Sequence, residues 1–193
     1  MVQASERKQV MRLSRILVLV LFASLRLAAQ TETPHDTSYT IYSAWMKLRE
    51  EYPHITPVGL SDQERVRSDE NIVYASYGER RLHLDIFRPD DDAVYPAVLM
   101  IHGGGWRSGN KEMEHAMAGY FAKRGFVAVP VEYRLSPEAQ YPAAVHDLKA
   151  AIRWLRVNAA VYNINPDKIA VYGSSAGGTL AALVGTTGGK YEG

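Results

Sequence analysis

The sequence predicts an α/β fold, built on a mostly parallel sheet with flanking helices. From residue 71 onward, short apolar runs alternate with segments of helical periodicity, which is the order of a parallel sheet. The run at 95–101 is apolar almost throughout, as expected for a strand that helices cover on both faces. Strands joined through helices in this order imply right-handed crossovers, so we expect helices on both faces of one sheet.

A short helix is predicted before this region, and the region itself opens with an antiparallel hairpin. Residues 39–51 place apolar side chains three and four positions apart, which is helical spacing. Residues 72–77 and 81–87 flank a turn at Gly78, and the second segment alternates apolar with polar side chains, which predicts a strand with one face in water. The apolar side chains are Ile41, Trp45 and Leu48 in the helix and Leu82, Leu84 and Ile86 in the strand, where they alternate with His83 and Asp85.

Two further strands and two helices are predicted after the strand at 95–101. They are a helix at 112–123, a strand at 126–133, a helix at 143–160 and a strand at 168–172. In the longer helix, apolar residues recur at spacings of three and four, which predicts one buried face.

Proline marks two irregular positions in this part of the chain. Pro130 lies inside the predicted strand at 126–133, and proline has no N–H group for a sheet hydrogen bond, so we expect a bulge or a local gap there. Asn165-Pro166-Asp167 is predicted to form the turn into the last strand.

The net charge of +1 conceals an uneven distribution. Residues 1–30 carry five basic side chains and one acid, which leaves 17 basic and 20 acidic side chains, a net charge of −3, in the rest. This balance favours neither a nucleic acid nor an anionic membrane as partner. The absence of cysteine excludes disulfides, thiolate catalysis and cysteine-ligated metals. Because metal-ligand spacings and phosphate-binding fingerprints are also absent, we expect neither a metal nor a cofactor.

The N-terminus has the architecture of a secretory signal peptide. A basic stretch leads into the apolar run at 16–23, and small residues follow at Ala28 and Ala29. The run is shorter than the roughly 20 residues that span a bilayer, so an uncleaved anchor is the less favoured alternative. We therefore predict cleavage after Ala29 and secretion to the periplasm or the extracellular space, with no stable membrane insertion afterwards.

This gives three predicted segments. Residues 1–29 form the signal peptide, residues 30–70 form a lead-in that contains the short helix, and residues 71–193 form the N-terminal part of the α/β domain. The polar composition of 61–70 argues against a place in the core.

The strongest local motif is a strand that runs into a G-x-S-x-G sequence. Gly173, Ser175 and Gly177 occupy the fixed positions, and small and apolar residues follow. This is the order of a nucleophile elbow, in which the residues two before and two after the serine have no side chain and the next helix begins directly. The register therefore selects Ser175 rather than Ser174 as the nucleophile, although a glycine-rich turn without chemistry is the alternative.

A second glycine motif, His102-Gly103-Gly104-Gly105-Trp106, follows directly after the buried strand at 95–101. Acyl transfer develops an oxyanion, which preorganised backbone N–H groups stabilise, and residues without side chains let the backbone approach closely. A further N–H donor in such sites is the residue after the nucleophile, here Ala176. A flexible loop without a site is the alternative.

Three further motifs complete a resemblance to a known family. They are Val131-Glu132-Tyr133-Arg134-Leu135-Ser136-Pro137-Glu138, then Tyr141-Pro142-Ala143-Ala144 with Asp147-Leu148, and Arg153-Trp154-Leu155. Together with the two glycine motifs, they resemble the hormone-sensitive-lipase-like carboxylesterases of the α/β-hydrolase fold. Within that group the sequence is most similar to acetyl-xylan and feruloyl esterase-like enzymes, over roughly residues 71–185.

The resemblance implies a serine carboxylic ester hydrolase. Ser175 is the implied nucleophile, and Gly104, Gly105 and Ala176 form the implied oxyanion hole, whereas His102 has no implied catalytic role. The lipase branch usually has Asp at the position of Ser174, which favours the carbohydrate-esterase branch. The implied substrates are small or polysaccharide esters, with acetyl or feruloyl groups of plant polysaccharides removed through an acyl-enzyme.

The rest of the implied catalytic triad is not found after the nucleophile. In the family, the acid and the histidine follow the serine, but the 18 residues after Ser175 contain one acid, Glu192, and no histidine. We therefore expect an N-terminal portion, truncated after the elbow helix and inactive alone, because a serine without its base is a weak nucleophile. A non-catalytic remnant and a serine peptidase or amidase of the same fold are the alternatives.

Four other residues have structural or binding interpretations. Arg134 and Asp147 are predicted to form an ion pair or a loop anchor, because buried charges need partners. Trp106 and Tyr141 are interpreted either as contacts for a sugar or an aromatic acyl group, or as core residues.

Overall fold

The computed structural model describes residues 38–57 and 64–188. These ranges contain five β-strands and four α-helices. The predicted signal peptide at 1–29 and the end of the chain from residue 189 lie outside the described residues. Within the described ranges, no helix is both long enough and apolar enough to cross a membrane.

Helix α1 (Ile41–Leu48) confirms the helix that was predicted near the start of the chain. Its first turn is closed by a reciprocal capping box: the amide of Ser43 donates to Thr40 Oγ1 over 3.0 Å, and the amide of Thr40 donates to Ser43 Oγ over 2.9 Å. The helix is three residues shorter at its end than the periodic pattern, because Arg49 already forms its C-cap.

The five strands form one mixed sheet in the order β1-β2-β4-β3-β5. They are β1 (Val66–Tyr77), β2 (Arg80–Pro89), β3 (Tyr95–Ile101), β4 (Val127–Val131) and β5 (Ile164–Gly173). Strand β2 runs antiparallel to both of its neighbours, whereas β3 runs parallel to β4 and β5. The α/β architecture, the hairpin and the parallel crossovers are therefore confirmed.

Two strands are longer than their sequence patterns indicate. Strand β1 begins at Val66 rather than near residue 71, so the sheet begins inside the segment that was predicted to be lead-in. It is an edge strand with many exposed polar side chains, and its register shifts between Asp69 and Ile72. Strand β5 begins before the turn that was predicted at 165–167. That turn is a bulge within the strand, since the pairing with β3 shifts between Ile164 and Ile169.

Helices cover both faces of the sheet, which explains why β3 is apolar along its length. Helices α3 (Ala143–Val157) and α4 (Ala176–Thr186) pack on one face, and α2 (His115–Ala122) packs on the other. Alternate residues of β3 point into the two cores, with Leu99 on the first face and Met100 on the second, both fully buried. The predicted helix at 112–123 is divided, because its first turn is a 3₁₀ helix at Lys111–Glu114.

Pro130 produces the expected local gap in the sheet. Strand β4 pairs with β3 in unbroken register, and Pro130 lies opposite Met100. On the β2 side the partners are Leu84 with Val131 and Phe87 with Ala128, so the two positions between them are unpaired. The missing N–H group of proline is thus accommodated on the antiparallel side of the strand.

The predicted pair of Arg134 and Asp147 is a two-pronged ion pair. Asp147 is fully buried on α3, and its oxygens accept from Arg134 Nη2 over 2.7 Å and Nε over 3.0 Å. The backbone N–H of Arg134 donates to the same carboxylate over 2.9 Å, and the guanidinium lies 3.5 Å from the ring centre of Tyr77. Asp147 therefore anchors the loop between β4 and α3.

Removal of this carboxylate should destabilise the fold strongly. In Asp147→Ala the guanidinium and an amide of Arg134 lose their acceptor, so we expect the free energy of unfolding to fall by about 3–5 kcal/mol in urea denaturation. The matched control is Asp90→Ala, which breaks the exposed pair of Asp90 with Arg67 and should shift the midpoint far less. Equal losses in the two variants would contradict the anchoring role of Asp147.

Candidate active site

Ser175 lies on a sharp turn between β5 and α4. Strand β5 ends at Gly173, α4 begins at Ala176, and Ser175 has φ 52° and ψ −121°. A left-handed φ is costly for a residue with a side chain and persists only where the surroundings enforce it. Ser175 is exposed to solvent while Ala176 is buried, so the turn presents the serine at the protein surface, at the C-terminal end of β5.

The two flanking glycines are required by the space around the turn. A side-chain carbon on Gly173 would overlap the backbone of Gly177, and one on Gly177 would overlap the carbonyl oxygen of Ile101 and lie 2.7 Å from that of His102. The prediction that both positions must lack side chains is therefore confirmed. The first turn of α4 rests directly on the end of β3.

The dipole of α4 is oriented with its positive end at Ser175. Ser175 occupies the N-cap position and, in the part of the chain that the structure describes, its hydroxyl makes no capping bond to the helix. At the opposite end, the buried Lys149 donates from Nζ to the carbonyl of Thr187 over 2.6 Å. A cation at the C-terminus and an oxyanion at the N-terminus are the charges that a helix dipole favours.

The loop after β3, residues 102–110, lies beside this turn and is called the oxyanion loop below. A side-chain carbon on Gly103 would lie 3.1 Å from the carbonyl oxygen of Ser174 and 3.4 Å from Cβ of Ser175. Gly103 is buried, whereas Gly104 is half-buried and Gly105 is exposed. The structure thus brings the two predicted motifs together through Gly103, with the predicted donor residues Gly104 and Gly105 next in the loop and Ala176 directly after the serine.

The carbonyl groups of this loop fix the direction of its N–H groups. The carbonyl oxygen of Gly103 lies 2.7 Å from His102 Nδ1, and that of Gly104 accepts from the amides of Arg107 (3.2 Å) and Ser108 (3.1 Å) and from Ser108 Oγ (3.1 Å). In a trans peptide the N–H and C=O groups point in opposite directions. The N–H groups of Gly104 and Gly105 therefore point away from His102 and Ser108, into the space beside the loop.

His102 braces the loop from inside the protein. Its ring is buried and stacked on Tyr133, with the ring centres 4.5 Å apart, and the Tyr133 hydroxyl donates to the His102 carbonyl over 3.0 Å. Burial raises the pKa of Tyr133, so its hydroxyl stays protonated. The ring of His102 turns toward the Gly103 carbonyl and so supports the first peptide of the loop.

Two aromatic side chains lie at the protein surface, in the loops that follow the C-terminal ends of β3 and β4. Trp106 and Tyr141 are 43% and 65% exposed, so their interpretation as core residues is wrong. The carbonyl of Trp106, a residue with φ 60°, accepts from the amide of Ser136 over 2.7 Å. Ser136 belongs to the loop between β4 and α3 that Asp147 anchors through Arg134. That loop therefore also holds the oxyanion loop in place.

A buried charged cluster near this site was missed by the sequence analysis. Asp85 Oδ2 lies 2.7 Å from both Lys111 Nζ and His115 Nε2, and Oδ1 accepts from the amide of Asn71 over 2.7 Å. We call Asp85, Lys111 and His115 the Asp85 cluster. Burial alone would raise the pKa of Asp85, but the hydrogen bonds from His115, Lys111 and Asn71 outweigh burial and lower it.

The prediction that this face of β2 is in water is wrong at Asp85. The carboxylate is fully buried because the 3₁₀ helix and α2 cover it, and Phe87 on the same face is fully buried too. Lys111 directly follows the oxyanion loop, and its side chain is only 2% exposed. The sequence carries no local signal for this cluster, because a lysine after a loop and an aspartate in an alternating strand are ordinary surface patterns.

One further histidine lies at this end of the sheet and contacts a carboxylate. His83 Nδ1 lies 3.3 Å from Glu132 Oε2, on the same edge as the loops. Within residues 38–57 and 64–188, the structure brings together no group of three side chains that could hold a metal ion.

Fold and site together define the class of the protein. An exposed serine on a strained turn between a parallel strand and a helix, beside a glycine loop with directed N–H groups, is the arrangement of the nucleophile elbow in the α/β-hydrolase fold. The chain belongs to the BD-FAE family, whose model matches residues 84–192.

Individual relatives agree with this assignment. The chain is 39% identical to a probable carboxylic ester hydrolase of Mycobacterium tuberculosis, LipM, over 62% of this chain and 28% of LipM. It is 38% identical to the versiconal hemiacetal acetate esterase of Dothistroma septosporum, over 46% of this chain and 27% of that protein. The chain thus covers less than a third of the length of either relative.

Solved structures match over a larger share. The esterase Est2 of Thermogutta terrifontis superposes with a TM-score of 0.56 at 35% identity, over 63% of this chain and 44% of Est2. Further structures of the same esterase contain bound propionate or butyrate. These likenesses confirm the predicted α/β-hydrolase fold and the resemblance to carboxylesterases.

A methyl group at the elbow should not be tolerated. In Gly177→Ala the new carbon overlaps the carbonyl of Ile101, so α4 must move away from β3 and we expect lower stability in thermal unfolding together with displacement of Ser175. The matched control is Gly185→Ala in the same helix, where no atom lies within 4 Å of the added carbon. That change should stabilise the protein by up to about 1 kcal/mol, because alanine favours helices. Equal unfolding temperatures for the two variants would refute the packing argument.

Proposed function

We propose that the complete protein is a serine carboxylic ester hydrolase in which Ser175 is the nucleophile. The observation that carries the proposal is the position of Ser175, exposed on a strained elbow beside two backbone N–H groups whose direction the oxyanion loop fixes. Relatives named as esterases support the same reaction. Because the chain covers only part of their length, the proposal concerns the complete protein rather than the 193 residues alone.

The proposed reaction proceeds through an acyl-enzyme. Ser175 Oγ attacks the ester carbonyl carbon while its proton passes to a general base, and the N–H groups of Gly104, Gly105 and Ala176 stabilise the oxyanion. The intermediate collapses with cleavage of the carbon–oxygen bond, and the protonated base returns its proton to the leaving alcohol. Water then attacks the acyl-enzyme in the same way and releases the acid and free Ser175. By family order, the base and its acid partner follow Ser175 in the complete protein.

We propose short acyl groups on a carbohydrate or aromatic alcohol as the substrate class. Propionate and butyrate in the Est2 structures, and an acetate ester as the named substrate of the Dothistroma relative, support a small acyl pocket. The resemblance to acetyl-xylan and feruloyl esterase-like enzymes supports plant polysaccharide as the carrier. Trp106 and Tyr141 are exposed aromatic rings at the site's edge, where a sugar or a feruloyl ring could stack.

A secreted location fits this substrate class. Polysaccharides lie outside the cell, and the basic and apolar N-terminal segment supports export to the periplasm or the extracellular space.

The nucleophile is tested by substitution in the protein expressed from its complete reading frame. Ser175→Ala should abolish hydrolysis of p-nitrophenyl acetate, with a loss on the order of 10⁶ in kcat, as for other serine hydrolases that lose their nucleophile. The matched control is Ser174→Ala, which removes an exposed neighbouring hydroxyl and should retain activity within about threefold. Full activity in Ser175→Ala, or an inactive wild-type protein, would overturn the proposal.

The substrate class is tested by comparing esters. We expect the highest kcat/KM on acetyl to butyryl esters, release of acetate from acetylated xylan or of ferulate from methyl ferulate, and a clear loss with octanoyl esters. Trp106→Ala should raise KM on the carbohydrate or feruloyl ester by about tenfold, a value typical of one lost aromatic stacking contact, and leave KM on p-nitrophenyl acetate nearly unchanged. Equal effects on all esters would remove Trp106 from substrate binding.

A further inference from the structure

The oxyanion loop leaves the sheet at one end and returns to it at the Asp85 cluster. Its first residue follows β3, which lies between β4 and β5 and is fixed by pairing on both sides. Its return is fixed at Lys111, whose Nζ lies 2.7 Å from Asp85 on β2. Both side chains are at most 2% exposed. Since a buried cation is costly without its counter-ion, the pair ties the end of the loop to a defined point on the sheet.

The returning segment of the loop packs directly on its first residues. Gly109 stands two residues before Lys111, and a side-chain carbon on it would lie 2.6 Å from both the Gly103 carbonyl oxygen and His102 Nδ1. The Gly103 carbonyl belongs to the same peptide unit as the Gly104 N–H. A shift of Lys111 would therefore be transmitted through Asn110 and Gly109 to the peptide unit that carries this N–H group.

The backbone conformation of the loop depends on such support. Four of its residues have left-handed φ angles: Gly104 (114°), Gly105 (61°), Trp106 (60°) and Gly109 (98°). Glycine adopts such angles without strain but is not confined to them, so the three glycines are held in one conformation only by surrounding contacts, and Trp106 in addition bears a conformational cost. The contacts come from inside the loop, from Ser136 and, at its end, from the pair of Lys111 and Asp85.

We propose that Lys111 and Asp85 are a positioning pair, which holds the oxyanion loop so that the Gly104 N–H points to the place where the oxyanion develops. The inference rests on the proposed ester hydrolysis by Ser175, and neither residue is assigned a contact with the substrate. Loss of the pair weakens stabilisation of the transition state, so it lowers kcat, whereas KM changes little because the ground-state contacts of the substrate remain.

The test is a double-mutant cycle in the protein expressed from its complete reading frame. Lys111→Met, Asp85→Asn and the double variant are assayed on p-nitrophenyl acetate. We expect kcat to fall about 10- to 100-fold in Lys111→Met, the range for a misplacement of about 1 Å in an active site. KM should stay within a small factor. Because the two residues act as a pair, the double variant should be no slower than the slower single variant.

The matched control is Arg88→Met, which removes a mostly buried cation from its pair with Asp69, near the C-terminal end of β2. It should retain kcat even if its unfolding temperature falls as much as that of Lys111→Met. An unchanged kcat in folded Lys111→Met, or an equal loss in Arg88→Met, would overturn the inference. If Lys111→Met does not fold, Asp85→Asn decides the question by the same criteria.

A readout that does not need activity separates this inference from the proposed function. Amide hydrogen exchange of residues 102–110 should be faster in Lys111→Met than in Arg88→Met, and equal exchange would overturn the positioning role. If the wild-type protein hydrolyses no ester, the proposed function fails, and the exchange rates still decide whether the pair positions the loop.

Discussion

Contact between two stretches of backbone, without intervening side chains, is the constraint on which the candidate site depends. Gly177 at the start of α4 lies against the carbonyls of Ile101 and His102, and Gly103 lies against the turn at Ser175. The distance between the nucleophile and the oxyanion loop is therefore set by main-chain packing, which changes of side-chain rotamer cannot alter. Its cost is the left-handed φ of Ser175, which the packing of α4 on the sheet must offset.

The direction of the N–H groups in the oxyanion loop is set through the carbonyl groups of the same peptide units. A backbone N–H that must face a reacting oxygen cannot itself be held by a protein acceptor, so its direction has to be set from the opposite side of the peptide plane. His102 does this for the peptide between Gly103 and Gly104, and Ser108 does it for the next one. The donors thus stay available while their geometry is fixed, which is what preorganisation requires.

Local patterns predicted the parts of the molecule that local rules determine. The strand at 95–101, the glycines on both sides of Ser175 and the pair of Arg134 with Asp147 all follow from hydropathy, turn sterics or the cost of an unpaired charge. Asp85 could not be predicted in this way, because alternation along β2 does not reveal that the 3₁₀ helix, distant in sequence, covers that face. The start of β1 was missed for the opposite reason, since a polar edge strand has the composition of a loop.

The Asp85 cluster also raises the question of why charged groups occupy an apolar layer. Well-packed apolar side chains at these positions would be about as stabilising as the ion pair, so stability alone does not account for it. Apolar packing, however, tolerates sliding of one surface over another, whereas Asp85 admits one arrangement in which donors from β1, the loop end and α2 all meet it. The carboxylate therefore makes the position of the loop end depend on the register of the hairpin. The ion pair thus adds little stability beyond that of apolar packing, and its contribution is to fix the position of a glycine-rich loop whose backbone N–H groups must be accurately placed.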